Sequence, residues 1–277
     1  MMSVRNIEVA ALSARSEYRR FLCTQSGALA YQKFQRVLYG KDDSLVTEIL
    51  ARVVREMIAG NSGKLAILDV GCGDGKRTSM ICNALRQGGV IPEVSLVEQS
   101  PIFVEELRGR VAKDELEANI FAGRFEHYRS NRQYDLILAI HSIFGIDGAD
   151  VIARLLALRK SGGRLLVASN ATDSLLGRLK KTLDIGFSEG RLEVDGIREQ
   201  LASLGAEYRV ERFATKWSVS SDQGAEVERL VAGWLGLGRF EEVDRQSQER
   251  FHEIFWDSAR VVDGRIEWEE EEELVCV

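Results

Sequence analysis

The stretch Leu65–Met80, LAILDVGCGDGKRTSM, sets a hydrophobic run against three alternating glycines, Gly71, Gly73 and Gly75, followed by two basic residues. Glycines this close raise the entropy cost of folding, so the loop must need them. Leu65–Val70 is apolar except for Asp69, as a strand buried on both faces should be, and Thr78–Leu85 begins a helix. A P-loop is excluded, because four residues must separate its first glycine from Gly-Lys-Ser/Thr; here position 70 is Val and Gly75-Lys76 is followed by Arg77. The dinucleotide pattern GxGxxG needs glycine at position 76, which is Lys. GxGxG fits. Lys76 and Arg77 are expected to face solvent in the first helical turn.

Downstream the strand–helix alternation repeats. Val94–Glu98 is a second strand, Ser100 an N-cap and Pro101 a first helical residue, with Phe103, Leu107 and Val111 on one helix face. Ile120–Ala122 is a weaker third strand and YDLILAI, Tyr134–Ile140, a fourth. The helix Val151–Leu158 follows, closed by Gly162-Gly163, and Arg164–Ser169 is a fifth strand. Ile197–Leu204 reads as a helix ended by Gly205, and Tyr208–Val219 as a sixth strand. Ala225–Leu235 and Gln248–Ala259 are further helices, and Asp263-Gly264 turns the chain into a last strand ending LVCV. Upstream, SARSEYRRFL, YQKFQRVLYG and SLVTEILARVVREMIAG carry apolar residues at helical spacing. The predicted fold is α/β: a Rossmann-like seven-stranded sheet, parallel with an antiparallel last strand, helices on both faces and an N-terminal helical cap. The expected domains are a cap and lead-in helix over 1–60 and a core over 61–277 with a helical insertion at about 222–262.

The 277 residues, 45% hydrophobic and 29% charged, are ordinary for a globular protein. A net charge of −6 argues against a nucleic-acid partner, which wants clustered Lys and Arg. Cys23, Cys72, Cys82 and Cys276 form no CxxC pair and have no histidine at zinc spacing, so we expect reduced thiols, no metal and a cytoplasmic location. No apolar run reads as a signal peptide or bilayer span, so no membrane partner is expected.

A dinucleotide loop brings a helix N-terminus against a pyrophosphate. S-adenosylmethionine has no phosphate; it presents an amino-acid end, a sulfonium and an adenosine. For this cofactor, Gly71 and Gly73 let the backbone lie against the ligand, and Asp69 or Asp74 can take up its ammonium. Glu98, about 25 residues beyond the loop at a strand end, can accept hydrogen bonds from both ribose hydroxyls. Taken singly, GxGxG also serves as a tight connection and a strand-end glutamate as a surface group. In register and followed by YDLILAI, they read as a cofactor site.

This pattern resembles the class I S-adenosylmethionine-dependent methyltransferases. EYRRFL at 17–22, LVEQSP at 96–101, YDLILAIHSIFGID from Tyr134 and LEVDGIREQLASLGAEYRVERF at 192–213 resemble histamine N-methyltransferase and its bacterial relatives. The resemblance implies that the ribose sits on Glu98, with Gln99 beside it, and that a small-molecule pocket lies under a helical cap. Two departures point away from histamine itself. The family's amine-recognising acid falls on Gly27, and its paired aromatics after the fourth strand are here Phe144-Gly145.

Ligands in such sheets lie beyond the carboxyl ends of the strands. That places His141, as a base or orienting group, with Ser142 beside it in the cofactor site; a neutral histidine making one structural hydrogen bond is the alternative. Asn170 is the second candidate catalytic residue, or else a helix cap. Tyr18, Phe21 and Tyr31 either press aromatic faces toward the sulfonium or form the core of the cap. The run Glu269–Glu273 is expected outside the sheet and solvated, because burying carboxylates is costly. The expected activity is methyl transfer to a small amine, hydroxyl or carboxylate in specialised metabolism. One alternative uses the cofactor's aminocarboxypropyl arm, including cyclisation to azetidine-2-carboxylate with release of methylthioadenosine. The other is a non-catalytic nucleotide-binding protein.

Overall fold

The computed structural model describes residues 21–40, 43–60, 63–146, 150–183, 194–236, 238 and 240–277. Tyr18 lies outside them, as does the start of the first sequence-predicted helix. In chain order the elements are α1 (Gln25–Tyr39), α2 (Ser44–Ile49), a π-helical turn (Leu50–Val54), α3 (Arg55–Gly60), β1 (Lys64–Val70) and α4 (Lys76–Gln87). Then come β2 (Ile91–Glu98), α5 (Pro101–Lys113), β3 (Ala118–Ala122), β4 (Tyr134–Ile140), α6 (Val151–Leu158) and β5 (Arg159–Asn170). The chain continues with α7 (Leu175–Thr182), α8 (Val194–Ser203), β6 (Arg209–Ser220), α9 (Gly224–Leu235), α10 (Arg245–Asp257), β7 (Arg260–Val262) and β8 (Arg265–Cys276).

The strands hydrogen-bond in the order β3-β2-β1-β4-β5-β8-β6, and β7 pairs antiparallel with β8. This is the Rossmann-like α/β fold, with one short strand more than the expected seven. The first five strands pair in parallel. Leu165 and Val277 exchange both backbone bonds at 3.0 Å, and Ala171 N donates to Glu271 O at 2.9 Å. Six residues forward on β5 thus meet six residues back on β8, which makes the last strand antiparallel. Strand order reverses between β1 and β4, where such sheets open a crevice for ligands.

The chain forms two compact units. The first comprises Asp43–Ser169, Asp195–Glu211 and Leu274–Val277. Its core is the continuous apolar strands: Leu65, Ile67, Leu68, Leu136, Ile137, Leu138, Leu165 and Leu166 are buried. Each such side chain contributes about 1.5–3 kcal/mol relative to exposure. Gly162-Gly163 does not close a helix; the pair lies inside β5. There the register with β4 jumps from Tyr134↔Arg159 to Leu136↔Arg164. Gly162 has φ +76°, and a Cβ at Gly163 would stand 2.8 Å from the Tyr134 carbonyl oxygen. The pair is needed for this bulge. Ser100 makes no side-chain cap to α5, which starts on the fixed φ of Pro101. Arg77 also departs from expectation: it is buried, and its Nε donates to Asp43 Oδ2 at 2.9 Å. The same aspartate accepts from Val46 N in α2 at 3.3 Å, which ties the lead-in helix to α4.

The second unit comprises Met1–Asp42, Asn170–Val194 and Arg212–Glu273. Here the acidic run overturns the expectation. Glu270, Glu272 and Glu273 are buried within β8, whereas Glu269 and Glu271 are exposed, following the period of two along a strand. Each buried carboxylate has its own compensation. Glu273 Oε1 accepts from Arg212 Nε at 2.7 Å, and Glu272 Oε1 accepts from Tyr39 Oη at 2.8 Å and Asn170 Nδ2 at 3.1 Å. Glu270 Oε2 accepts from Leu176 N at 2.9 Å, while its Oε1 is buried with no hydrogen-bond partner. Burial, with Glu272 adding repulsion, pushes the Glu270 carboxyl up to about 8.

This shift carries a stability sign. Between about 4.5, the ordinary value, and about 8, the folded chain holds a proton that the unfolded chain has released, so Glu270 costs stability as pH rises through that window. Glu270→Gln is therefore expected to raise the melting temperature at pH 8.5 more than at pH 5. A thermal-melt difference that does not change with pH would contradict the assignment.

Candidate cofactor site

The candidate site lies in the first unit, at the carboxyl ends of β1, β2 and β4. Each glycine after β1 has a left-handed φ, but the three face different neighbours. A Cβ on Gly71 would stand 2.4 Å from Ser142 Cβ, so this position must be glycine for the β1 and β4 loops to meet. Ser142 Oγ donates to Val70 O at 2.5 Å across the same junction. A Cβ on Gly75 would strike Leu107 of α5. A Cβ on Gly73 would have no protein atom within 4 Å: this glycine faces open space.

Glu98 holds the loop in place. Its Oε2 accepts from Gly73 N at 2.9 Å and its Oε1 from Ser100 N at 2.7 Å. The side chain thus bridges the β1–α4 loop and the β2–α5 connection. Val97 O adds a bond from Gly71 N at 2.8 Å. Burial raises the Glu98 carboxyl above its usual range, opposed by the backbone donors of Ser100, Gly73 and Gln99. A carboxylate offers about four acceptor sites, so beyond its three backbone donors Glu98 keeps some acceptor capacity.

Asp69 is buried beneath the loop and accepts from Thr78 Oγ1 at 2.5 Å, which joins the end of β1 to the first turn of α4. Burial pushes its carboxyl up to about 6, against the Thr78 bond and the charge of Arg77. Asp74 is turned to α5: Oδ2 pairs with Arg110 Nη2 at 2.7 Å, and Oδ1 accepts from Lys76 N at 3.0 Å. His141 has φ +52°, a left-handed conformation that costs a non-glycine residue about 1–2 kcal/mol. Its backbone N donates to Ala168 O at 2.9 Å, so the last rung of the β4–β5 ladder fixes this bend.

Two candidates belong to the second unit. Asn170 is no helix cap: Ser174 caps α7, accepting from Gly177 N at 3.1 Å, while Asn170 holds Glu272. Phe21 and Tyr31 pack on Trp234 of α9, with ring centroids at 6.1 and 4.8 Å, and Phe34 joins them at 5.6 Å. These rings form one aromatic cluster within that unit, with Phe34 and Trp234 buried and Phe21 and Tyr31 half-buried. Gly27 has a physical reason of its own, because a Cβ there would stand 1.9 Å from Phe21 O. Sequence reading missed the Tyr39–Glu272–Asn170 cluster, because its partners lie 233 and 102 residues apart along the chain.

Among the described residues, no group of His, Cys, Asp and Glu has a metal-binding arrangement, and no helix is long and apolar enough to cross a membrane. Residues 67–163 match the methyltransferase domain family, which covers the glycine loop, Glu98 and His141. The plantazolicin methyltransferase BamL, solved with a triazolic desmethylPZN analog and S-adenosylhomocysteine, superposes with a TM-score of 0.55. It shares 12% identity, and the match covers 98% of both chains. An O-methyltransferase family protein from Burkholderia thailandensis gives a TM-score of 0.53 at 16% identity, over 69% of this chain and 58% of its own. At such identities the likeness is one of fold. A search of curated proteins found no match.

The glycine geometry separates folding from ligand contact. Gly71→Ala is expected to cost about 2–4 kcal/mol through the clash with Ser142 and the left-handed φ. Gly73→Ala should cost only the φ, about 1–2 kcal/mol. Urea unfolding of the two variants checks the order, and equal losses would contradict it.

Proposed function

We propose, starting from a methyltransferase domain that makes this chain an enzyme using S-adenosylmethionine, that it transfers the methyl group to a small-molecule acceptor. The observation that carries the reading is the Glu98 carboxylate, anchored by Gly73 N and Ser100 N with acceptor capacity to spare. The fit to the cofactor rests on that capacity, suited to a ribose hydroxyl, and on the open space over Gly73, where an approaching ligand meets no side chain. Glu98 and Gln99 would hold the ribose, and Gly71 and Gly73 the backbone wall. With Asp74 engaged by Arg110, Asp69 takes the ammonium role. Phe21 belongs to the reading only as an aromatic ring packed near Trp234, and Tyr18 lies outside the described residues.

When bound, the cofactor supplies an electrophilic methyl on a sulfonium. The chain's own task is to align an acceptor lone pair with that carbon, exclude water and remove a proton where one must leave. His141 and Ser142 serve the alignment, with the strained His141 backbone fixing where the imidazole starts. Asn170 is held by Glu272 within the second unit. The resemblance to histamine N-methyltransferase and its bacterial relatives supports a small acceptor, and the crowding at Gly27 supports one other than histamine. The net charge of −6 speaks against nucleic acid as substrate, and four free cysteine thiols suit a reducing cytoplasm.

The test is to incubate the protein with S-adenosylmethionine alone and with amine, hydroxyl and carboxylate acceptors, then identify the nucleoside released. Acceptor-dependent S-adenosylhomocysteine is expected. Methylthioadenosine would assign arm chemistry instead, and release of neither would reduce the chain to a binding protein. Glu98→Ala is expected to weaken S-adenosylhomocysteine binding by about 1–3 kcal/mol, the scale of hydrogen bonds to a charged group. Unchanged affinity in calorimetry would remove Glu98 from the site. Affinity should also fall as pH drops through about 6, where Asp69 takes up a proton and no longer offsets the ammonium charge. Asp69→Asn should flatten that profile, and a profile unaltered by the substitution would return the ammonium to another group.

A further inference from the structure

A second ligand site is built into the second unit, where α7 and α10 flank a cleft of about 610 Å³. Helical spacing decides what lines it. Arg178, Lys181 and Thr182 share one face of α7, and Gln246, Arg250 and Ile254, four residues apart, share one face of α10. Three cations therefore converge on the cleft, and no carboxylate is among its lining residues.

Among the described residues, none of these three cations makes an ion pair with a carboxylate. Arg178 Nη2 donates to the neutral Ser258 Oγ at 3.1 Å. Asp173, which feels the charge of Lys181, is bound by Arg212 at 2.5 Å. Asp244 caps α10, accepting from Ser247 N at 3.0 Å, so the amino end of that helix lies at the cleft. Several other arginines behave differently. Arg52, Arg77, Arg110, Arg132 and Arg212 each bind an acid. Three like charges lining one cleft, with no carboxylate among its lining residues, repel one another, an arrangement that favours an anion between them.

The geometry points to a binding site for a diphosphate-bearing small molecule. Two guanidinium forks match phosphate oxygens bidentately, and the lysine adds a point charge. The volume suits a small ligand. Three cations in a chain of net charge −6 are too few for a nucleic-acid or membrane surface. S-adenosylmethionine carries no phosphate, so this ligand is a different molecule from the cofactor.

Calorimetric titration of the full chain with inorganic diphosphate, inorganic phosphate and citrate at constant ionic strength tests the assignment. Saturable diphosphate binding is expected, at least tenfold tighter than phosphate or citrate. It should weaken at least tenfold in Arg178→Gln/Arg250→Gln, with S-adenosylhomocysteine affinity unchanged in the same variant. Arg250→Glu alone, on the exposed face of α10, gives the same readout if loss of the Arg178–Ser258 bond disturbs packing. No saturable binding at millimolar diphosphate, equal binding of citrate, or undiminished affinity in the charge variants overturns the proposal.

Discussion

Two backbone N–H groups, from Gly73 and Ser100, meet on one buried carboxylate, Glu98, and the candidate site is organised around that meeting. The loops that follow β1 and β2 diverge toward α4 and α5, and a hydrogen-bonded side chain between them fixes their separation. The cost is desolvation, visible in the raised Glu98 carboxyl, and two short bonds offset it. Without Glu98 the amide of Gly73 loses its acceptor, and the open face over that glycine loses its definition. Gly71 closes the other side, packed so tightly on Ser142 that the β4 loop takes its position from the glycine loop.

Buried acids recur through the chain, and each is handled differently. Asp43 is neutralised by a buried arginine, Asp69 leans on a hydroxyl at a helix start, and Glu272 collects a phenol and an amide. Glu270 has one backbone donor, the Ser174 hydroxyl and a bare oxygen, and it keeps its proton near neutral pH. A core assembled from apolar strands alone would be more stable at high pH. Glu272 and Glu270 lie on β8, between β5 and β6 in the sheet, and meet Tyr39 and the start of α7.

Much of the fold was legible in the sequence, because continuous apolar runs and glycine punctuation are local signals. The strands Leu65–Val70 and Tyr134–Ile140 follow from them. The misread elements share a cause: their conformation is set by distant partners. Gly162-Gly163 looks like a helix stop until the β4 carbonyl across the ladder is seen to exclude a side chain. Arg77 looks solvated until Asp43 reaches it, and the glutamate run looks too charged to bury until Arg212, Tyr39 and Asn170 are brought to it. Within the site, sequence spacing pairs Glu98 with the loop. It gives no hint that Asp74 is turned to Arg110, or that Gly27 is dictated by the Phe21 carbonyl.

A crystal structure with S-adenosylhomocysteine bound measures the central claim directly. The account predicts a ribose hydroxyl within about 3 Å of the Glu98 carboxylate, with the ligand lying over Gly73 and the Gly73–Glu98 and Ser100–Glu98 bonds intact. A ligand seated away from the β1 loop, or a ribose held by other groups with Glu98 still occupied only by backbone, would contradict it.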